Sequence, residues 1–283
     1  MTDLLASTAA LVACLSVIGC GEGVFGGSTL DKLGMNAADY FEDAEVIALC
    51  EAVERGDLAE VEALIGSGSN VTAVGRHGVT PLLWSYPDDK PAIFEALLKA
   101  GADPNVKLTA DLGDGRWFNE GDSVTHLCVK SRFDRHFDLV MDHGGDPNIT
   151  DGRGTTALVT VIRWGRNKKA RIKRLVKEGA DLNQETRNWA RPISVAVTWG
   201  AQYDIAILLL ELGAEANPDV GGRTLSIPHQ VLYEKGEKRY RLWTPEAEAS
   251  YAALKTAMAE RGVDWKKEKA SRDARLGKSG VIE

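Results

Sequence analysis

The sequence lacks the short motifs around which many enzymes build an active site. Its 283 residues contain no G-x-S-x-G, no H-E-x-x-H, no P-loop and no cysteine–histidine nucleophile signature. The four cysteines form no C-x-x-C pair and show no zinc-ligand spacing with histidine. We therefore expect no catalytic activity, no cofactor, no structural zinc site and no disulfide framework.

Positive charge is also scarce. The chain has 41 Asp and Glu against 34 Lys and Arg, which gives a formal net charge of −7. This balance argues against a nucleic-acid partner, because phosphate backbones select strongly basic surfaces. The hydrophobic fraction of 44% and the charged fraction of 27% are ordinary for a folded domain.

A long apolar run occurs at the N terminus. Residues 4–20, LLASTAALVACLSVIGC, contain no Lys, Arg, Asp or Glu. The run is short for a membrane span and suits the core of a signal peptide. It ends in Val17-Ile18-Gly19-Cys20, which resembles the lipobox of bacterial lipoproteins. That resemblance implies acylation of Cys20 and a periplasmic location, with a possible outer-membrane anchor. The alternative is a buried N-terminal helix of a cytoplasmic protein, because the preceding residues carry Asp3 and no basic residue.

Glycine is plentiful and part of it is regularly spaced. A short phrase recurs as GADPN at Gly101, GGDPN at Gly144, GADLN at Gly179 and GAEAN at Gly213. With Gly68 before and Gly262 after, the separations are 33, 43, 35, 34 and 49 residues. A period near 33 indicates stacked repeats, and such stacks typically offer extended binding surfaces.

The repeat unit is clearest between His77 and Asn105. Thr80 and Pro81 are typical of the first turn of a helix, since the threonine hydroxyl can cap it and proline is tolerated there. A second helix is predicted from an apolar stripe of Ile93, Phe94, Leu97 and Leu98. Gly101 ends that helix, as glycine does where the backbone turns left-handed.

A turn, two helices, a glycine stop and a period near 33 resemble the ankyrin repeat over roughly residues 43–265. The best matches are Thr80-Pro81-Leu82, Leu97-Leu98 with Gly101-Ala102-Asp103 and Asn105, and Leu209-Leu210 with Gly213-Ala214 and Asn217. The resemblance implies an all-α solenoid of about six helix-turn-helix units with finger loops, and a protein partner. The family's histidine after Thr-Pro-Leu is replaced by Leu83, Cys128, Val159 and Ser194, so we expect a less regular stack.

The sequence outside the repeats completes the expected domain organisation. We expect residues 1–20 to be a signal peptide with a lipobox and residues 21–42, which are glycine-rich at first, to be a flexible tether. Residues 43–265 form the repeat domain. Residues 266–283 are polar and are expected to be a disordered tail.

One finger loop is longer than the others. The extra residues lie within 107–122, which carry Arg116, Trp117 and Phe118. An extended loop with exposed aromatic side chains on a rigid scaffold is typical of a recognition element. The alternative is that the loop folds its aromatic side chains back onto the repeats.

Three tryptophans are candidate anchors for a partner. Trp84 lies four residues after Thr80, where we expect it to face outward. Trp164 and Trp199 occupy equivalent positions in adjacent repeats, and each precedes a glycine. Tryptophans are frequent interface anchors because they bury a large area at a small entropy cost. Packing beneath the inter-helix loops is the alternative.

A cation recurs in the fingers. The arginines just before the predicted first helices are Arg76, Arg116, Arg153, Arg187 and Arg223. On an acidic protein such a row predicts an acidic partner surface, with solvated charge as the alternative. A basic run at 163–177 is read as a solvated helix face or a contact to an acidic partner or lipid. The acidic and histidine side chains at 134–146 fit the outer side of a helix better than a metal site.

These features predict a protein-protein interaction module. A signal-bearing bacterial ankyrin-repeat protein resembles the immunity proteins that neutralise secreted antibacterial effectors, including lipase effectors of type VI secretion. The resemblance implies that a secreted effector or toxin is the partner and that binding occludes it in the periplasm. The alternative is a periplasmic scaffold in envelope or oxidative-stress defence.

Overall fold

The computed structural model describes residues 29–112, 118–188, 190–216, 228, 231 and 244–275. Within these ranges the regular structure is helical, and strand pairing is limited to isolated bridges. The α-helices are α1 (Thr29–Lys32), α2 (Ala44–Arg55), α3 (Leu58–Gly66), α4 (Pro81–Ser85), α5 (Pro91–Lys99), α6 (Val124–Lys130), α7 (Asp134–Asp142), α8 (Ala157–Trp164), α9 (Lys168–Lys177), α10 (Pro192–Thr198), α11 (Tyr203–Glu211), α12 (Pro245–Ala259) and α13 (Trp265–Arg275). Two 3-10 turns are Ala37–Asp39 and Arg76–Gly78.

Consecutive helix pairs stack side by side, from α2/α3 to α10/α11. The first helices form one layer, in which α2 contacts α4 and α8 contacts both α6 and α10. The second helices form another layer, in which α5 lies between α3 and α7 and α9 contacts α11. Helix α12 packs on α11 at the end of the described stack. The predicted all-α repeat solenoid is confirmed.

A side-chain hydroxyl begins three of the first helices at the same repeat position. The capping residues are Thr80, Ser123 and Thr156, whose oxygens accept from the amides of Leu83, His126 and Val159 at 3.1, 3.2 and 3.3 Å. The third repeat therefore starts at Ser123. This register places His126, rather than Cys128, at the position of the family histidine.

The repeated glycine–aspartate–asparagine phrase makes a ladder between repeats. Asn105 donates its side-chain amide to the carbonyl of Gly144 at 2.9 Å and accepts from the amide of Asp146 at 2.8 Å. Asn148 repeats both bonds with Gly179 and Asp181, at 3.0 and 2.7 Å. One further rung joins Asn183 to the amide of Glu215 at 3.0 Å. We call these bonds the asparagine ladder; they supply inter-repeat links at the loops.

Residues 29–42 are not a flexible tether, which corrects the sequence-based expectation. Leu30, Met35 and Phe41 are 2%, 5% and 5% exposed in the core. The hydroxyl of Thr29 also donates to Asp88 at 2.6 Å. Apolar side chains in this segment cover the open face of the first repeats, and their burial fixes the backbone. Residues 21–28 of the expected tether lie outside the described residues.

The start of the polar tail is also structured. Helix α13 covers residues 265–275, where we expected disorder from 266 onward. The indole of Trp265 donates to the carbonyl of Lys255 at 3.0 Å, and the Lys255 ammonium lies 4.8 Å from the ring centroid. This contact starts the helix against α12. Residues 276–283 lie outside the described part.

The expected signal and lipidation residue are not covered by the structure. Residues 1–20, including Cys20, lie outside the described residues. Among the helices that are described, none combines the length and apolarity required to cross a bilayer.

Candidate interaction surface

The loops before α4, α6, α8 and α10 lie next to one another, and we call them the finger row. Backbone hydrogen bonds join the first two to their neighbours, from Arg76 to the carbonyl of Tyr40 at 2.8 Å and from Thr109 to that of His77 at 2.9 Å. At the other end the Arg187 amide donates to the Gly154 carbonyl at 3.3 Å.

Two glycines allow the middle fingers to meet. A Cβ atom on Gly121 would collide with the backbone of Gly152, and one on Gly152 would collide with Glu120. Gly121 also has a φ of +81°, which side chains rarely adopt. The finger row is therefore a closely packed edge of the stack rather than a set of independent loops.

The long finger folds back on the repeats. Isolated antiparallel bridges pair Lys107 with Ser123 and Leu112 with Phe118. Phe118 is only 2% exposed and meets the Tyr86 ring edge-to-face at 6.4 Å. The expectation that Phe118 is an exposed anchor is wrong, because its ring covers Tyr86 and fills the base of the finger. Arg116 and Trp117 lie outside the described residues.

A buried polar chain fastens this finger to two repeats. His126 Nε2 lies 2.9 Å from Thr160 Oγ1, and its Nδ1 lies 3.4 Å from Asp122 Oδ1. Burial on its own would raise the pKa of Asp122, but the neighbouring His126 ring, the charge of Lys130 and the hydrogen bond from the Asn119 amide hold it below its usual value. Asp122, His126 and Thr160 are 3%, 2% and 2% exposed. The order carboxylate–histidine–hydroxyl is typical of nucleophile activation. Because all three side chains are buried, we assign them a structural role that links the finger to the repeats.

The finger arginines differ in their partners. Arg76 is exposed and donates to the carbonyl of Asp39 at 3.3 Å. Arg153 and Arg187 are exposed, and their guanidinium groups have no acceptor among the described residues. The contact of Arg187 with Gly154 puts these two cations on adjacent fingers. Arg223 lies outside the described part.

Trp84 does not belong to an exposed surface. It is 2% exposed and packs edge-to-face on Tyr40, with ring centroids 5.8 Å apart. The expectation of an outward-facing side chain is wrong because residues 29–42 cover this position. The repeat pattern contains no signal for that covering segment.

Trp164 and Trp199 form the exposed tryptophan pair. They are 44% and 42% exposed, and their rings meet edge-to-face with centroids 5.4 Å apart. The guanidinium carbon of Arg163 lies 5.1 Å from the Trp199 ring centroid. The pair lies at the C-terminal ends of α8 and α10, so the eight residues of α8 separate it from the fingers by roughly 12 Å.

Much of the basic run at 163–177 is used inside the stack. Arg171, 2% exposed, donates to the carbonyls of Cys128 and Val129 at 3.1 and 2.8 Å, at the end of α6. Its other nitrogen reaches Asp134 at 2.6 Å. Lys168 similarly donates to the carbonyl of Ile162 at 2.7 Å near the end of α8. These two cations stabilise helix C-termini, where the dipole is negative.

The acidic and histidine side chains at 134–146 are dispersed. Asp142 pairs with Arg174 at 2.6 Å, and Asp134 accepts from Arg171. His136 is fully buried, with its ring centroid 4.4 Å from that of Phe94 and 5.1 Å from that of Phe133. Throughout the part of the chain that is described, no three His, Cys, Asp or Glu side chains are grouped to hold a metal ion.

The comparisons with known proteins agree with this architecture. The model of the family described as ankyrin repeats (3 copies) matches residues 125–219. Putative ankyrin repeat protein FPV031 of Fowlpox virus is 25% identical over 200 residues, which cover 68% of this chain and 55% of the viral protein. Protein PhlB of Serratia liquefaciens is 27% identical over 157 residues, which cover 55% of this chain and 63% of PhlB. The chain thus matches less than two thirds of either relative.

A solved structure gives the same result for the fold. The crystal structure of an ankyrin repeat domain from Acinetobacter baumannii AYE superposes with a TM-score of 0.59 at 18% identity, covering 76% of this chain and 98% of that domain. Ankyrin repeats are generally non-catalytic scaffolds for protein-protein interaction. Residues 125–219 match the ankyrin-repeat family model, and the described part of the chain has the ankyrin-repeat fold.

Proposed function

We propose that the chain binds a secreted antibacterial effector of the lipase type and occludes it, acting as an immunity protein in the periplasm. The observation that carries the binding role is the pair of exposed guanidinium groups of Arg153 and Arg187 on adjoining fingers, neither of which has an acceptor among the described residues. Backbone contact between the fingers sets the spacing of the two cations, and a planar guanidinium can bind a carboxylate on a partner through two hydrogen bonds.

The assignment to a periplasmic immunity protein has separate support. The charge-free apolar run at residues 4–20 ends in a lipobox-like cysteine, Cys20, which favours export. An inhibitor of effectors that act in the periplasm has to be present in that compartment. A repeat scaffold with a charged edge and an exposed aromatic pair suits occlusion, because it covers a partner without reacting with it.

Co-expression with the product of the neighbouring gene tests the proposal, which requires that product to be a lipase-type effector. The wild-type chain should co-purify with that protein and restore growth of cells that export it. The double reversal Arg153→Glu with Arg187→Glu should weaken binding about tenfold or more, since like charges replace complementary ones. Lys173→Glu with Lys177→Glu is the matched control, because both lysines are exposed on the second-helix layer, away from the fingers.

Failure to co-purify or to protect would reject the effector as partner. A periplasmic scaffold in envelope or oxidative-stress defence predicts a different outcome. In that case deletion of the gene would sensitise cells to peroxide and would leave their survival beside a sibling strain unchanged.

A further inference from the structure

Arg163 has no carboxylate acceptor among the described residues and lies against an indole ring instead. Arg171, Arg174 and Arg191 each reach a carboxylate at 2.6 to 3.0 Å. The guanidinium of Arg163 lies over the Trp199 ring, and its Nε is buried without a hydrogen-bond partner among the described residues. The terminal nitrogens of Arg163 likewise have no acceptor among the described residues, so a bound partner can supply one to this guanidinium.

The apolar surface beside Arg163 is uncovered as well. Trp164 and Trp199 expose almost half of their area, and their edge-to-face contact fixes both rings. Aromatic side chains held in this way bury a large area on binding with little loss of rotamer freedom. A partner that fits this point therefore carries an apolar side chain next to its acceptor.

The charges nearby favour an anionic acceptor. Arg166 is exposed and has no ion pair within the described residues. Two acidic groups of the adjoining elements are already engaged, since Asp134 accepts from Arg171 and Asn167, and Asp204 pairs with Lys169. The local field is positive, and a carboxylate is its complement.

We propose that Arg163, Trp164 and Trp199 bind an acidic and apolar segment of the protein partner. A Glu or Asp carboxylate accepts from the Arg163 guanidinium, and a neighbouring Leu-like side chain covers the two indoles. This rests on the proposed function in that the partner is a protein, and it adds the chemistry of the segment that docks at the far end of α8 and α10.

A pair of synthetic peptides tests the proposal on the full chain. One alternates Glu and Leu over seven residues with blocked ends, and the other has Gln in place of each Glu. In ¹⁵N NMR spectra the Glu peptide should shift the indole N–H signals of Trp164 and Trp199 and the Nε–H signal of Arg163. The Gln peptide should bind about tenfold more weakly, because a charge-assisted hydrogen bond becomes a neutral one.

Variants separate the specific contact from general charge. Arg163→Gln should weaken binding of the Glu peptide about tenfold, and Arg163→Lys should restore part of it. Arg166→Gln is the matched control, since it removes an equal charge three residues away from the ring contact. Thermal unfolding of each variant shows whether the stack is intact.

Several results would overturn the inference. Equal binding of the two peptides, or equal weakening by Arg163→Gln and Arg166→Gln, would show that no specific carboxylate site exists. Arg163-dependent binding of phosphatidylglycerol vesicles without any response to the Glu peptide would assign the patch to lipid instead.

The outcome is separable from that of the proposed function. Effector binding that survives Arg163→Gln but is lost on reversal of Arg153 and Arg187 would keep the immunity role and reject this site. A response to the Glu peptide without effector binding would support this site and reject the immunity role.

Discussion

The asparagine that closes each repeated phrase joins its own repeat to the next one. Asn148 makes two such bonds, to the carbonyl of Gly179 and from the amide of Asp181. We expect Asn148→Ala to lower the free energy of unfolding by about 1 to 2 kcal/mol, because both loop groups lose their partner at a partly exposed site. Urea denaturation followed by circular dichroism measures the loss.

Asn70 provides the matched control. Its side chain bonds only within its own turn, to the amide and hydroxyl of Thr72 at 3.1 and 2.8 Å, as far as the described residues extend. Asn70→Ala should therefore cost less than Asn148→Ala. Equal losses would show that the ladder adds nothing beyond local turn stabilisation.

His136 makes stability dependent on pH. Burial between Phe94 and Phe133 lowers its pKa from the ordinary value, and Asp89 at 3.7 Å opposes that shift only in part. Since the unfolded chain binds this proton more readily, stability is complete above a pH of about 6.5 and declines as the pH falls from there to the folded-state pKa.

The test compares two chains across the same pH range. We expect the wild-type protein to lose at most about 1.4 kcal/mol per pH unit below that point through His136. His136→Phe, which keeps an aromatic ring between Phe94 and Phe133, should flatten this part of the profile. Identical profiles of the two chains from urea denaturation would contradict the assignment.

Repetition in the sequence predicts some residue roles and misses others. The Thr80 cap and the turn at Gly101 could be predicted because each residue type has a specific backbone function. Burial of Trp84 and Phe118 could not, since it depends on Tyr40 and Tyr86, which belong to other segments. The position of a residue in its repeat predicts the direction of its side chain but not which other segment covers that side chain.

At the scale of elements, a cationic side chain donates hydrogen bonds to the free carbonyls at the C-terminal end of three first helices. Lys90 donates to the carbonyls of Val53 and Glu54 at the end of α2, as Arg171 does for α6 and Lys168 for α8. Helices α6 and α8 do not end in a glycine Schellman turn, because the backbone of the C-cap residue is extended in both. A charged side chain therefore satisfies the free carbonyls.

Replacement of Arg171 should show how much this contributes. We expect Arg171→Met to lower the free energy of unfolding by about 2 to 4 kcal/mol, because two carbonyls at the end of α6 lose a buried charged donor. Lys173→Met on the same helix, where the side chain is exposed, should change stability by less than about 0.5 kcal/mol. A loss no larger than that of Lys173→Met would show that water replaces Arg171.

The basic run at 163–177 illustrates a limit of charge patterns. Its sequence favours a solvated face or a contact surface, but depth along α9 alternates, so Arg171 is buried while Lys173 is exposed. Helical periodicity places Arg171 with the apolar Ile172 and Leu175 only after the boundaries of α9 are known. The functional interpretation of such a run needs the helix register.

At the scale of the whole molecule, the main helix contacts among the described residues join adjacent repeats, so stability should be local. Tyr251 of α12 meets Tyr203 of α11 edge-to-face at 5.6 Å and is 3% exposed. We expect Tyr251→Ala to destabilise the C-terminal end by about 3 kcal/mol. Hydrogen exchange should then speed up in α10 and α11 while α2 and α3 keep their protection.

A substitution at the other end gives the reciprocal control. Leu49 in α2 is fully buried, and Leu49→Ala should speed exchange in α2 and α3 more than in α10 and α11. If both variants raise exchange uniformly along the chain, the stack unfolds as a single cooperative unit and the local description is wrong.

The sequence predicts the order of the repeats better than it predicts their ends. Periodicity locates the helix pairs because the units share glycine stops and three of them share a hydroxyl cap. The packed segment at 29–42 and helix α13 carry no repeat signature, and their structure comes from contacts such as those of Leu30 and Trp265. Single contacts of this kind have no pattern in the sequence.

The asparagine ladder has a consequence for how such a chain can change in length. Each rung joins a side chain of one repeat to the main chain of the following one, as Asn105 does with Gly144 and Asn148 with Gly179. A duplicated unit inserted in register brings its own asparagine and its own glycine, so both new junctions are made at once. Gene duplication can therefore lengthen the array without a newly evolved interface, and the ladder's direction excludes insertion of a unit in reverse.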